Sequence, residues 1–484
     1  MSPVNLSNRR FVDSFHNFIF ADEAARAPCV YGLKLPNVRR VGTEECTDSQ
    51  PSTMQQRLVA ILQAAVHLEY LHLPSVVDLD LVLTAAANMT SLRELHLVFG
   101  QSSRPPWQIL GTFCSPLQSL RVEREKDDSW IDYDFWRMTL LHDHLAAFAP
   151  TLEVLELQMV YFDISPSLIT TPFTALRSFT THWFAGFNES TMVALLQLFP
   201  NLDDTLFLDF LDTMEMEFAY RSIRECSMEA QRARAWSCLD RVACNVDLAF
   251  VMALRCPIRR MDLRMYYFSP GRASVSSILR HSCPQILHFR LPLSDFDLDD
   301  LDDLFPSEGV DLLTHLVMFA PSTHLDDYGR YKLTSWNQFR DKLISSMKHL
   351  RLTHLRIVFY YSLFMPDGDF IGREPAKVAG DTDLYAAATA FFSAIPTLRH
   401  LSSRQIQSGE RNTDKWLSSK AWRIAEHRVH EGDQLSNAKS RSTKSIVALS
   451  TEAANRIVEQ EELDLCSSDK SMVQVCGDAS TWGD

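Results

Sequence analysis

The sequence predicts an α/β solenoid, a stack of helix–turn–strand units with a parallel sheet on a concave face and helices on a convex one. Three observations predict it. A short pattern of apolar, two variable, apolar, one variable and apolar residues recurs along most of the chain. Many successive copies fall 24–28 residues apart, and apolar residues at helical spacing precede many of them. A single unit of this kind cannot bury its own apolar faces, so neighbours must stack.

In chain order the copies are Val30-Leu33-Leu35, Leu68-Leu71-Leu73, Leu92-Leu95-Leu97, Leu117-Leu120-Val122 and Leu152-Leu155-Leu157. Weaker ones follow at Leu176-Phe179-Thr181, Leu202-Thr205-Phe207 and Leu239-Val242-Cys244. The pattern resumes at Ile258-Met261-Leu263, Ile286-Phe289-Leu291, Leu313-Leu316-Met318 and Leu352-Leu355-Ile357, and fades at Leu398-Leu401. This period is that of a leucine-rich repeat, about 20–29 residues. The expected fold is therefore an irregular leucine-rich-repeat horseshoe. Helices are expected over Met54–His67, Asp80–Met89, Thr191–Phe199, Ala273–Ser282 and Asn337–Met347. Several stop at a proline just before the strand, as at Pro150, Pro200, Pro257, Pro284 and Pro396. Proline cannot continue a helix and holds its predecessor extended.

Longer steps leave inserts at Val41–Ser52, Glu123–Trp136, Asp209–Arg234, Ala320–Trp336 and Tyr361–Thr382, read as projecting loops; Asp209–Arg234 has helical spacing of its own. Past Ser402 the chain turns polar. An amphipathic helix is expected from about Thr451 to Leu463, with Ser450 as its N-cap. The expected division is an N-terminal linker or cap helix over 1–29, the solenoid over 30–402, and a polar C-terminal cap with a partly disordered tail over 403–484.

Composition excludes several classes of function. Carboxylates outnumber Lys plus Arg by 61 to 47, and a net charge of −14 argues against a nucleic-acid partner. Ten scattered cysteines with no CxxC pair read as reduced thiols. Cys238, Cys244, Cys256 and Cys283, at or beside strands, are expected in the core. The start MSPVNLSNRR carries no apolar leader and no stretch of about 18 apolar residues exists, so a cytoplasmic or nuclear protein with no membrane partner is expected. GxGxxG, Walker, HExxH and GxSxG motifs are all absent. The acidic run Asp295–Asp303 lacks the glycine and glutamate of a calcium loop, and interleaved apolar residues make it a solvated helix face. His142 and His144, flanking Asp143, read as surface residues rather than ligands. No catalytic residue, cofactor or metal ligand is therefore assigned, and an enzyme built from the inserts is the least favoured reading.

One constellation remains. Residues between the strand's apolar positions should face the concave surface. The central variable position reads His72, His96, Arg121, Glu156, Thr180, Asp262, Arg290, Val317 and Arg356; the position before it adds Tyr70, Glu94, His288, His315, His354 and His400. Its candidate contact residues are His72, His96, Arg121, Glu156, Asp262, Arg290 and Arg356. Enrichment in His and Arg marks a surface for an acidic or phosphorylated protein segment, against the plainer reading of ordinary solvated strand residues. In the insert Trp130–Trp136, Trp130, Tyr133 and Trp136 are a second candidate, because exposed aromatics anchor interfaces. They could equally fold back on the solenoid edge.

The helix–proline–LxxLxL grammar, with Cys-Pro before strands at Cys256-Pro257 and Cys283-Pro284, resembles the leucine-rich repeats of fungal-type F-box proteins over roughly Val30 to Leu401. The resemblance implies that the repeats capture a substrate while an F-box docks on the Skp-type adaptor of a cullin ubiquitin ligase. Met1–Cys29 is shorter than an F-box and looks like the helix that follows one, so the F-box itself is read as missing or degenerate. The expected function is non-catalytic protein recognition as a ligase's substrate receptor, with a stand-alone scaffold or inhibitor as the alternative.

Overall fold

Strands form where the apolar pattern places them, because each supplies leucines to one side of a sheet at a period of two. The computed structural model describes residues 2–36, 53–74, 79–99, 107–124, 141, 144–160, 164, 166–184, 187–210, 220–265, 272–293, 301–302, 304–322, 336–361, 383–408, 414–428, 442–466 and 469–470. The chain divides into two units, Met1–Asp240 and Arg241–Asp484.

The first unit runs β1 (Val4–Asn5), α1 (Arg9–Phe20), α2 (Glu23–Arg26), β2 (Gly32–Lys34), α3 (Thr53–Ala64), β3 (Tyr70–Leu73), α4 (Leu79–Ala87), β4 (Glu94–Phe99), α5 (Trp107–Leu110) and β5 (Ser119–Arg124). It continues through β6 (Val154–Gln158), β7 (Ser178–Phe184), α6 (Thr191–Leu198), β8 (Thr205–Phe210) and α7 (Tyr220–Ala233). Strands β1 to β8 pair in chain order and in parallel. Parallel crossovers share one hand, so a sheet that advances in a single direction carries its connecting helices on one face. Consecutive helices α3, α4 and α5 touch accordingly. Leu71, Leu73, Leu95, Leu97, Leu120, Leu155 and Leu157 are buried. The helix in the Asp209–Arg234 insert is real: α7 packs against α6, and Trp236 beyond it donates its indole N–H to the Phe199 carbonyl at 2.7 Å.

The second unit holds most of β9 (Leu239–Asn245), then α8 (Val246–Met252), β10 (Ile258–Arg264), α9 (Arg272–Ser282), β11 (Ile286–Arg290), β12 (His315–Ser322), α10 (Trp336–Met347), β13 (His354–Tyr361), α11 (Leu384–Ala394) and β14 (His400–Ser408). Strands β10 to β14 are again parallel and in chain order. The polar stretch after Ser402 forms more structure than its composition suggests. β14 extends to Ser408 and pairs antiparallel with β15 (Asp414–Arg428), which pairs antiparallel with β16 (Ser442–Ala448). α12 (Thr451–Gln460) follows, its N-terminus capped by Ser450, whose hydroxyl accepts from the Ala453 N–H at 3.3 Å. Both units are thus α/β with an open, mostly parallel sheet.

The small polar residues before the leucines have a structural task. Ser91, Thr151, Asn201 and Thr397 each donate a side-chain hydrogen bond to a carbonyl of the preceding repeat, at Leu68, Leu117, Thr174 and Leu352, over 2.8–2.9 Å. They satisfy turn carbonyls that the sheet leaves over and tie each repeat to its predecessor.

Candidate functional site

The sheet face opposite the helices carries the polar residues between the leucines. In the first unit its middle row is Lys34, His72, His96, Arg121, Glu156, Thr180 and Phe207, in register across β2 to β8. The neighbouring row is Tyr70, Glu94, Ser119, Val154, Ser178 and Thr205. Strand spacing brings the His72 and His96 rings into a stack, 4.3 Å between centroids and 13° apart. Arg121 lies 3.4 Å from Glu156, and His96 lies 3.8 Å from Glu123. Burial first, then the His96 ring and the Lys34 ammonium, lower the His72 pKa to about 4. His96 is lowered for the same first reason, with Arg121 next. The row is therefore a pair of neutral imidazoles beside a guanidinium whose side chain is 56% exposed. The four residues expected here, His72, His96, Arg121 and Glu156, do lie side by side.

One strand departs from the sequence reading. The expected apolar set Leu202-Thr205-Phe207 is out of phase by one, because Leu206 and Leu208 fill the core while Thr205 and Phe207 stand on the polar face. A slip of one residue exchanges the faces of a strand.

The second unit corrects another register. Asp262 pairs with His288, Val317, Arg356 and Ser402, whereas Arg290 belongs one row on, with Arg264, Phe319, Val358 and Arg404. The row before holds Arg260, Ile286, His315, His354 and His400. The sequence placed Arg290 with Asp262 because Ile286 and Leu291 are apolar too and make two phases look equally good. The strand's inward residues are Leu287 and Phe289.

This face is covered by the chain's own C-terminal segment. Val458 of α12, then Leu463 and Leu465, form one apolar cluster with Val317, Phe319, Val358 and Tyr360. Around it the polar contacts are specific. Arg404 donates to the Asn455 side chain at 3.0 Å, and Arg356 donates to the Leu463 carbonyl at 2.6 Å and to Asp464 at 3.4 Å. Arg259 bonds Glu462 at 2.8 Å, His315 lies 3.2 Å from Glu461, and Arg290 pairs with Asp469 at 3.6 Å. Six carboxylates against two cations between Thr451 and Lys470 make this an acidic occupant. Asp262, Arg290 and Arg356, expected as accessible partner-binding residues, are consequently inaccessible: their side chains are 3%, 12% and 3% exposed.

Beneath the segment the electrostatics follow from geometry. His288 donates from Nε2 to the Glu462 carbonyl at 3.0 Å and accepts at Nδ1 from Arg260 at 3.4 Å, the pattern of a neutral ring. Burial sets that state and holds its pKa near 4. Burial opposes ionisation of Asp262 as well, but His288, Arg241 and Arg260 around it more than compensate and hold its carboxyl below the usual range. Both guanidiniums donate to it, Arg241 and Arg260 each from Nε at 3.0 Å. Burial keeps the Asp469 carboxyl raised despite Cys466 and Arg290.

Among the remaining candidates, Trp130, Tyr133 and Trp136 lie outside the described residues, as do His142, Asp143 and all of the acidic run Asp295–Asp303 except Leu301 and Asp302. Leu301, Leu304 and Phe305 are buried while Asp302 is exposed, which fits an amphipathic segment. Cys244 and Cys256 are in the core, but Cys238 is exposed and Cys283 only half-buried. The sequence offered no metal motif, yet folding brings His315, His354 and Glu461 together with ligand atoms within 4.8 Å of one another. The separation of 146 positions from His315 to Glu461 hid that grouping. Among the described residues no helix is long and apolar enough to cross a membrane. No protein-family model matches the chain, and no curated protein matches it.

Proposed function

We propose that the chain is a leucine-rich-repeat solenoid that recognises acidic, or phosphorylated, segments of other proteins on the polar face of its sheet, without catalysis. One observation carries the reading: the face of the second unit already holds an acidic peptide segment, the chain's own, by Arg and His side chains around a small apolar cluster. The first unit offers the same residue types in Lys34, His72, His96 and Arg121, side by side in one register row. Arginine suits carboxylate and phosphate oxygens because its planar fork donates two parallel hydrogen bonds.

The resemblance to F-box/LRR substrate receptors supports the further proposal that capture serves a cullin-type ubiquitin ligase through a Skp-type adaptor. A stand-alone scaffold or inhibitor is the alternative. Affinity purification of the full chain from its native cells tests both levels, with Arg121→Glu in parallel. The expected result is a set of partners lost in the variant; identical capture by both chains would overturn the reading. Adaptor and cullin among the retained proteins would establish the ligase role, and their reproducible absence would leave the scaffold.

A further inference from the structure

The row His315, His354, His400 places three imidazoles at one register on three adjacent parallel strands. The His315 and His354 rings stack at 4.5 Å, 6° from parallel, and the His354 and His400 centroids are 5.8 Å apart. The threonine before each of the first two histidines engages its Nδ1. Thr353 donates its hydroxyl to the Thr314 carbonyl at 3.1 Å, so the same oxygen accepts, at 3.0 Å, from His354 Nδ1–H. Thr314 repeats this one strand earlier, donating to the Gln285 carbonyl at 3.4 Å and lying 2.8 Å from His315 Nδ1. In the tautomer with Nδ1–H on both rings, both Nε2 atoms carry lone pairs. Yet His315 Nε2 faces a carboxylate oxygen of Glu461 at 3.2 Å. A lone pair and a carboxylate at that distance need either a proton or a cation between them. His400, 2% exposed, adds a third unbonded imidazole, with no hydrogen-bond partner at either nitrogen among the described residues.

We propose that His315 Nε2, His354 Nε2 and the Glu461 carboxylate bind a divalent transition ion of the zinc class. Two imidazoles and a carboxylate are a zinc-type donor set, with bonds of about 2.0–2.2 Å. Thr314 and Thr353 are positioning residues that hold the tautomer, as outer-shell partners of metal-bound histidines do. Because Glu461 ends α12 and the two histidines belong to β12 and β13, the ion would fasten the C-terminal segment to the sheet.

The test is titration of the metal-stripped full chain with Zn(II) against a chromophoric zinc indicator, alongside hydrogen exchange of residues 451–463. Wild type is expected to bind one more ion than His354→Ala, and zinc should slow exchange in the segment of the wild type alone. Glu461 lies in the half-buried turn after α12 with its side chain 43% exposed, so Glu461→Gln should stay folded while binding at least tenfold more weakly. Thr353→Val should weaken binding about 10–100-fold with every ligand intact. A proton on His315 would satisfy the Glu461 contact equally well. In that case zinc uptake would be absent, or unchanged in His354→Ala and Glu461→Gln, and either result would overturn the proposal.

Discussion

Leu463 is the most informative position in the segment that covers the second unit. Its side chain is fully buried in the cluster of Val317, Phe319, Val358, Tyr360, Val458 and Leu465. Its carbonyl accepts from Arg356, and its N–H donates to the Val458 carbonyl at 2.8 Å. Leu463→Ala leaves both backbone bonds possible and removes only apolar contact. Buried leucine-to-alanine changes cost roughly 2–5 kcal/mol, and 1.4 kcal/mol is a factor of ten, so docking should weaken by about 30- to 3000-fold. Since the segment is held to the sheet by side chains, this loss should appear as local opening rather than global unfolding. Hydrogen exchange followed by mass spectrometry reads it directly. Amides of 454–463 should exchange faster by that factor, while those of β10 to β13 stay protected. Equal exchange in both chains would refute the idea that Leu463 anchors the segment, and uniform acceleration across the unit would refute its independence.

Three further outcomes follow from the same contacts. His288 and His400 are buried and hold pKa values near 4 against an ordinary 6.5. The unfolded chain then takes up protons that the folded chain refuses between pH 6.5 and 4, so stability is flat above that window and falls through it on acidification. The slope reaches about 1.4 kcal/mol per pH unit for each ring; the raised Asp469 carboxyl opposes it with one group. Urea unfolding should show a lower midpoint at pH 5 than at pH 7, and an equal or higher one would contradict the neutral assignment. Arg121→Glu changes a side chain that is 56% exposed but sets a carboxylate beside half-buried Glu156, so stability should fall by no more than about 1 kcal/mol while acidic-segment binding is lost. Gly309 has φ +76° and its added Cβ would meet the Arg280 Cα at 3.0 Å, so Gly309→Ala should destabilise by at least about 1 kcal/mol; an unchanged melting curve would be inconsistent with that turn.

The repeat made the strands legible because leucines at Leu71-Leu73, Leu95-Leu97 and Leu316 with Met318 recur in the only phase available to them. Where a second phase was chemically acceptable, at Thr205–Leu208 and Ile286–Leu291, the apolar pattern misplaced the side chains, and hydrogen-bond pairing between strands decided the matter. The site was half legible. His72, His96, Arg121 and Glu156 line up as read, since local periodicity fixes which way they face. Covering of Asp262, Arg290 and Arg356 was not legible, because it depends on contacts spanning up to 203 residues, such as Arg259 to Glu462. A signal did exist in hindsight: α12 pairs an apolar stripe at Ile457 and Val458 with the acidic run Glu459–Asp464, the complement of an Arg- and His-rich sheet face.

The central claim, that the polar sheet face takes acidic segments, is tested most directly by adding a fluorescent peptide of sequence 451–470 to the full chain and to Arg121→Glu, and following anisotropy. Saturable binding that weakens with salt and is lost in Arg121→Glu is the expected result. Failure to bind, or equal binding of a peptide with its six carboxylates replaced by amides, would contradict it.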